Sequence, residues 1–150
     1  TVPESKQRRH RGPASGLNNQ HPRLPGKYHS TWAAAGGYGP VADTLLAQEN
    51  VQAFYLEYDS DRAGGFEPLA KVPDDKYVVL GLITSKSGQL EDKQTIIDRI
   101  HEAAKYHPLD HLCLSPQCGF ASTEEGNILT EDQQWKKVAL VKEIATEVWD

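Results

Sequence analysis

Hydrophobic and polar positions along the chain alternate between two periods, and each change of period marks an element. Pro40, at a first helical position, followed by Val41, Ala42, Leu45 and Leu46, predicts a short helix that stops near Asn50. The next run, Val51 to Tyr58, is too apolar for an exposed edge and predicts a strand covered on both faces. Gly64, Gly65, Pro68 and Pro73 then break the pattern. Tyr77 to Ser85 is the strongest strand signal in the chain, with Thr84 and Ser85 at its end. Ile96, Ile97, Ile100, Ala103 and Ala104 recur at helical spacing behind acidic Glu91 and Asp92, and Pro108 halts that helix. Leu112 and Leu114 flank Cys113 in a third strand, about 111–116, which Pro116 must end or turn into an edge. After a loop through Gly119 and Gly126, Thr130 and Gln133 form a capping box for a last helix, whose predicted buried stripe is Trp135, Val138, Val141, Ala145 and Val148.

Strands alternating with helices predict parallel βαβ units, because parallel strands need a crossover to join them. The fold class is therefore α/β. In such folds ligand sites gather at the C-terminal ends of the strands, whether the sheet is open or closed into a barrel. Glu57, Thr84 with Ser85, and Cys118 all fall at or just past such ends, so folding should bring them to one face.

Length and composition narrow the rest. With 150 residues and 38% apolar content, the chain is long enough for one ordinary domain with a core. No run approaches the roughly 18 apolar residues of a membrane span, and no apolar signal core follows the basic N-terminal residues. A soluble, cytoplasmic protein is expected, and two cysteines on different elements make no disulfide framework. The sequence holds no methionine, which points to a trimmed or truncated start. The net charge of −5 is divided unevenly: residues 1–31 carry six basic side chains against Glu4 alone. That segment, rich in Pro, Gly, Asn, Gln and Ser, cannot bury enough surface to offset its ordering entropy, so residues 1–27 are expected to be a disordered or unrelated leader. It lacks aromatic interleaving and any fold signature, so neither nucleic acid nor membrane is an expected partner.

Four ordered phrases carry a resemblance. Thr31-Trp32-Ala33-Ala34-Ala35-Gly36-Gly37-Tyr38, Leu56-Glu57-Tyr58-Asp59-Ser60-Asp61-Arg62-Ala63-Gly64-Gly65-Phe66-Glu67-Pro68-Leu69, Gly81-Leu82-Ile83-Thr84-Ser85-Lys86-Ser87-Gly88 and Leu114-Ser115-Pro116-Gln117-Cys118-Gly119-Phe120 resemble the cobalamin-independent methionine synthase family, in particular its short single-barrel relatives. The resemblance implies that residues 28–150 are the C-terminal part of a (β/α)8 TIM barrel, about three βα units. It also implies an activity: methyl transfer from 5-methyltetrahydrofolate, usually a polyglutamate, to homocysteine, giving methionine through a zinc-bound thiolate. Zinc suits this chemistry because it holds sulfur, imidazole nitrogen and carboxylate oxygen, keeps one position open, and stabilises a thiolate at neutral pH. The family's ligand set is a His-x-Cys pair on one strand, a Glu on the next and a Cys on the last. By resemblance Glu57 takes the glutamate place and Cys118 the final cysteine place.

The sequence departs from this pattern where the His-x-Cys pair is due. Pro22 and Leu24 stand in those places, His21 and His29 have the wrong offset, and Thr84 replaces a histidine that some members carry. The chain thus reads as an N-terminally truncated or chimeric copy. Whether it is an enzyme stays open between a methyltransferase, a catalytically inactive barrel fragment and a related zinc-dependent alkyltransferase acting on another thiol. Cys113 reads as a structural thiol, and His101, His107 and His111 as surface or helix-terminus residues. His10 and His21 read as tail residues, and Asp59, Asp61 and Arg62 as a solvated charge run. A three-strand piece leaves two open sheet edges, which invite self-association.

Overall fold

A computed structural model of the protein describes residues 27–28, 31–32, 37–121 and 126–150. The expected leader, apart from Lys27, lies outside the described residues, as do His10, His21, Pro22, Leu24 and His29. Two short strands, β1 (Lys27–Tyr28) and β2 (Thr31–Trp32), pair antiparallel. The helix expected after Pro40 is present in irregular form, as a 3-10 turn over Gly39–Val41 running into wide π-type turns over Ala42–Leu46.

The centre of the fold is a parallel sheet of β3 (Ala53–Glu57), β4 (Tyr77–Ile83) and β5 (Leu112–Pro116), in the order β3-β4-β5. The connection from β4 to β5 runs through α1 (Lys93–Ala103), and α2 (Glu131–Trp149) follows β5. Between β3 and β4 there is no α-helix, only 3-10 turns over Asp61–Ala63 and Glu67–Lys71. Pro68 and Pro73 lack the N–H that a longer helix there would need.

Register follows the alternation. Val78 pairs with Phe54 on one side and Leu112 on the other, and Leu80 likewise with Leu56 and Leu114, so these side chains line one face. Against it pack Ile96, Ile97, Ile100 and Ala103 of α1 and Leu140 and Ile144 of α2, all buried. The opposite face carries Tyr55, Val79 and Cys113 in one row. That face is open, with Tyr55 62% exposed, so the expectation that the first strand is covered on both sides does not hold among the described residues.

The box that opens α2 is where the sequence puts it, and α1 has a cap of its own. Asp92 accepts from Thr95 N at 2.9 Å to start α1, and Thr130 and Gln133 form the reciprocal box at the start of α2. The buried stripe of α2 is a correction. Lys137, Leu140 and Ile144 are buried, Val141 and Val148 flank them, and Trp135 and Val138 are exposed. Trp135 donates instead to Glu131 on the helix's own surface. The true row was masked by its charged member: Lys137 is buried because its ammonium donates to both oxygens of Glu91 at 3.0 Å and to Gln89 O at 2.8 Å. No helix among the described residues is long and apolar enough to cross a membrane.

Candidate functional site

Two strand ends and one turn build the site. β5 ends at Pro116, and Gly119 N donates back to Pro116 O at 3.3 Å, closing a four-residue turn with Gln117 and Cys118 at its centre. Gly119 has φ of +84°, a conformation that L side chains rarely adopt. Across β4, Glu57 is the last residue of β3. Its backbone N–H donates to the phenol oxygen of Tyr38 at 2.9 Å. Burial pushes the Tyr38 hydroxyl up to about 12, and the Glu57 and Asp59 charges push the same way against the opposing backbone hydrogen bond.

These placements bring together the two residues that the sequence singled out. The Cys118 thiol donates to Glu57 Oε1 at 3.1 Å, although 61 positions separate them in sequence. Cys118 is exposed and Glu57 half-buried, so the pair faces outward at the C-terminal edge of the sheet. Thr84 and Ser85 join them through Gln117. Its Oε1 accepts from Ser85 N at 3.1 Å and from Thr84 Oγ1 at 3.4 Å, and its Nε2 donates to Glu57 Oε2 at 3.4 Å.

Gly81 makes room for this arrangement. It pairs with Glu57 on one side and Ser115 on the other, and a Cβ there would lie 3.0 Å from Leu56 O, 3.1 Å from Gln117 Cα and 3.4 Å from Glu57 Cα. A bulge follows between Gly81 and Ile83, so that Ile83 pairs with Pro116 and accepts from Gln117 N at 3.1 Å.

Neighbouring charges are held tightly. Asp59 is no part of a solvated run: its side chain is 1% exposed and paired with Lys86 at 2.9 Å. A carboxylate withdrawn that far from water needs a counter-ion, and the turn after β4 supplies one. Asp61 and Arg62 are exposed, as expected. Glu91, bound to Lys137, accepts from Thr84 N at 2.8 Å and fixes the start of the same turn. His107 is buried rather than at the surface, with Nε2 2.8 Å from Lys76 O; His101 lies in α1, and His111 directly precedes β5, at the end of the sheet opposite Glu57 and Cys118. Burial raises the Cys113 thiol, which is half-buried within β5. Gln117, Tyr38 and Lys86 are the residues that sequence reasoning passed over. Gln117 lay inside the quoted turn, between the proline and the cysteine, and Tyr38 closed the Gly36-Gly37 phrase.

The pair suits a metal in donor type and spacing. Zinc bonds of roughly 2.3 Å to sulfur and 2.0–2.2 Å to oxygen would reach both atoms after they part by about 0.5 Å to the tetrahedral angle. It falls short in number. Among the described residues no group of three His, Cys, Asp or Glu side chains could hold a metal ion, and a catalytic zinc takes about three protein ligands.

Comparison with known proteins places this geometry in larger company. No family model matches the chain. Over 125 residues, 83% of the chain, it is 58% identical to YxjH and 56% identical to YxjG of Bacillus subtilis, both uncharacterized. It spans about a third, 33%, of the length of each. A crystal structure from Listeria monocytogenes, provisionally assigned as a vitamin-B12-independent methionine synthase, matches with a TM-score of 0.62 and 43% identity, over 77% of this chain and 33% of that one. A B12-independent methionine synthase from Shewanella sp. W3-18-1, solved with selenomethionine, has the same local fold at a TM-score of 0.61 and 22% identity, over 74% of this chain and 30% of that one. The strand ends that carry Glu57 and Cys118 thus lie in a mixed α/β unit similar to about a third of proteins described as B12-independent methionine synthases.

Proposed function

We propose that the chain carries part of a thiol-methylating site of the cobalamin-independent methionine synthase type, transferring a methyl group from 5-methyltetrahydrofolate or its polyglutamate to homocysteine to give methionine. The observation that carries this reading is the 3.1 Å approach of Cys118 Sγ to Glu57 Oε1, a soft and a hard donor brought together from two strand ends. On this reading the three strands are one arc of a (β/α)8 barrel, whose other strands and remaining metal ligands come from outside the described residues. The length of the relatives supports that, since the chain spans only 33% of them.

Zinc, when bound, would supply a thiolate at neutral pH without a strong base. The residues here do the rest. Glu57 and Cys118 would hold two positions around the ion, and the Tyr38 phenol oxygen accepts from the Glu57 backbone N–H. The Lys86–Asp59 pair is buried two residues along from Glu57 without leaving a net charge.

The test is metal content and acceptor use. Zinc that accompanies the purified chain should be lost in Cys118→Ser, and methionine should form from homocysteine and the triglutamate donor once the remaining strands and ligands are supplied. Failure to take up zinc at micromolar free metal overturns the reading for this chain and leaves an inactive fragment. Methylation of coenzyme M in place of homocysteine would reassign the acceptor to another thiol.

A further inference from the structure

We infer that the outer flank of α2 and the free edge of β5 form one docking surface. Its occupant is a parallel strand with an amphipathic helix, from the part of a YxjH-type chain that this protein does not span. The inference rests on the reading of β3, β4 and β5 as one arc of a larger barrel, and it names the side chains that receive the next unit. In α2 the row turned to the core is Lys137, Leu140 and Ile144. Successive residues of a helix are turned by about 100°. The residues just before that row, Lys136, Ala139 and Glu143, therefore lie on one flank, and those just after it, Val138, Val141 and Ala145, on the other. The first flank faces α1, where Lys93 pairs with Glu147 at 2.6 Å and lines a groove with Ala139 and Glu143. The second flank is apolar at all three positions, and Trp135, one turn before Val138, extends it.

One exposed apolar side chain is ordinary, but an apolar flank is not. Trp135 and Val138 are 59% and 38% exposed, and Val141 and Ala145 are half-buried. These residues carry the period that predicts burial, while the fold buries the row beside them. Their position supplies a second observation. α1 joins β4 to β5 and covers one flank of α2, so the other flank overhangs the far edge of β5, which pairs only with β4 among the described residues. A strand added to that edge would carry its helix against Trp135 and Val138, as α1 lies against the opposite flank. The occupant follows from length and topology. The stretch that is 58% identical to YxjH makes up 33% of that chain, so the remainder is there to supply the unit. A second copy of this protein could offer its β3 to the same edge, but only 3-10 turns follow β3, and no helix would reach Trp135.

Coexpression of the 150-residue chain with a YxjH polypeptide that lacks the matched stretch tests this, the complex being read by size-exclusion chromatography with light scattering. A complex of one copy each should form, and the double variant Trp135→Gln, Val138→Gln should weaken it about 10-fold or more. Glutamine keeps the helix propensity, and Lys136→Gln, on the α1 flank, should leave the affinity within about two-fold of the parent. Where the YxjH portion is insoluble, the double variant is read instead in YxjH whose matched stretch is replaced by that of this chain. It should lower the thermal midpoint there and leave that of the isolated chain unchanged. A soluble YxjH portion that forms no complex, a complex that the double variant leaves intact or that Lys136→Gln weakens as much, or equal thermal shifts in the two settings overturns the surface. Self-association that persists in excess YxjH portion and is broken by the double variant assigns the surface to a second copy and overturns the occupant. A complex that depends on Trp135 and Val138 but makes no methionine from homocysteine and the triglutamate donor overturns the methyl-transfer reading and upholds the surface.

Discussion

Two buried tyrosines show how a single hydroxyl changes sign with its surroundings. Tyr38 and Tyr58 stack 5.2 Å apart, but only the Tyr38 oxygen bonds to Glu57, while the Tyr58 hydroxyl is buried without a partner. Tyr38→Phe should therefore cost about 1 kcal/mol, and Tyr58→Phe should be neutral or stabilise by about 1 kcal/mol, both read from urea midpoints. The Tyr38 phenol, raised to about 12 in the fold, adds a pH signature. Its stabilising effect is complete below its ordinary value of 10.0 and is lost as pH rises toward about 12, because the unfolded chain gives up the proton first. Lys137 makes the opposite point: Lys137→Met should lower stability by about 3 kcal/mol, since Glu91 and Gln89 O lose their cation inside the protein. Glu57 and Cys118 were legible in the sequence because each follows a strand pattern and belongs to a distinctive phrase. Gln117, Lys86 and Lys137 were not, because their work depends on partners 27 to 60 positions away in sequence.

At the level of elements, the three strands, two helices and the Thr130–Gln133 box could be read from period and cap chemistry alone, whereas Asp92 was read only as an acidic residue near the start of its helix. The α2 stripe could not, because a lysine occupies the row that faces Glu91. The bare face at Tyr55 could not be foreseen either, since an apolar strand reads the same whether one or both sides are covered. Gly81 is the element-scale test. Gly81→Ala forces a methyl to within 3.0 Å of Leu56 O and 3.1 Å of Gln117 Cα, both part of the sheet's own frame. It should destabilise by about 1–3 kcal/mol and push Glu57 and Gln117 apart, which thermal melting and the loss of Ser85 amide protection would register together.

Taken whole, the described part of the molecule is finished on one side only. Helices cover Phe54, Leu56, Val78, Leu80 and Leu112, whereas Tyr55 and Tyr77 stand 62% and 45% exposed on the other face. β3 and β5 have no further strand partner among the described residues. Such edges recruit strands, so sedimentation of the chain alone should show concentration-dependent association, and a single monomer over a hundredfold range in concentration would refute it. The bulge in β4 governs what those edges can present. Leu82 is one residue of slack, and it advances every later position on β5 by one step, about 3.3 Å, relative to β4. Gln117 therefore reaches Ile83 O through its backbone and Ser85 N through its side chain, and the meeting of Glu57 with Cys118 is set by the count of residues between strand ends as much as by their kind.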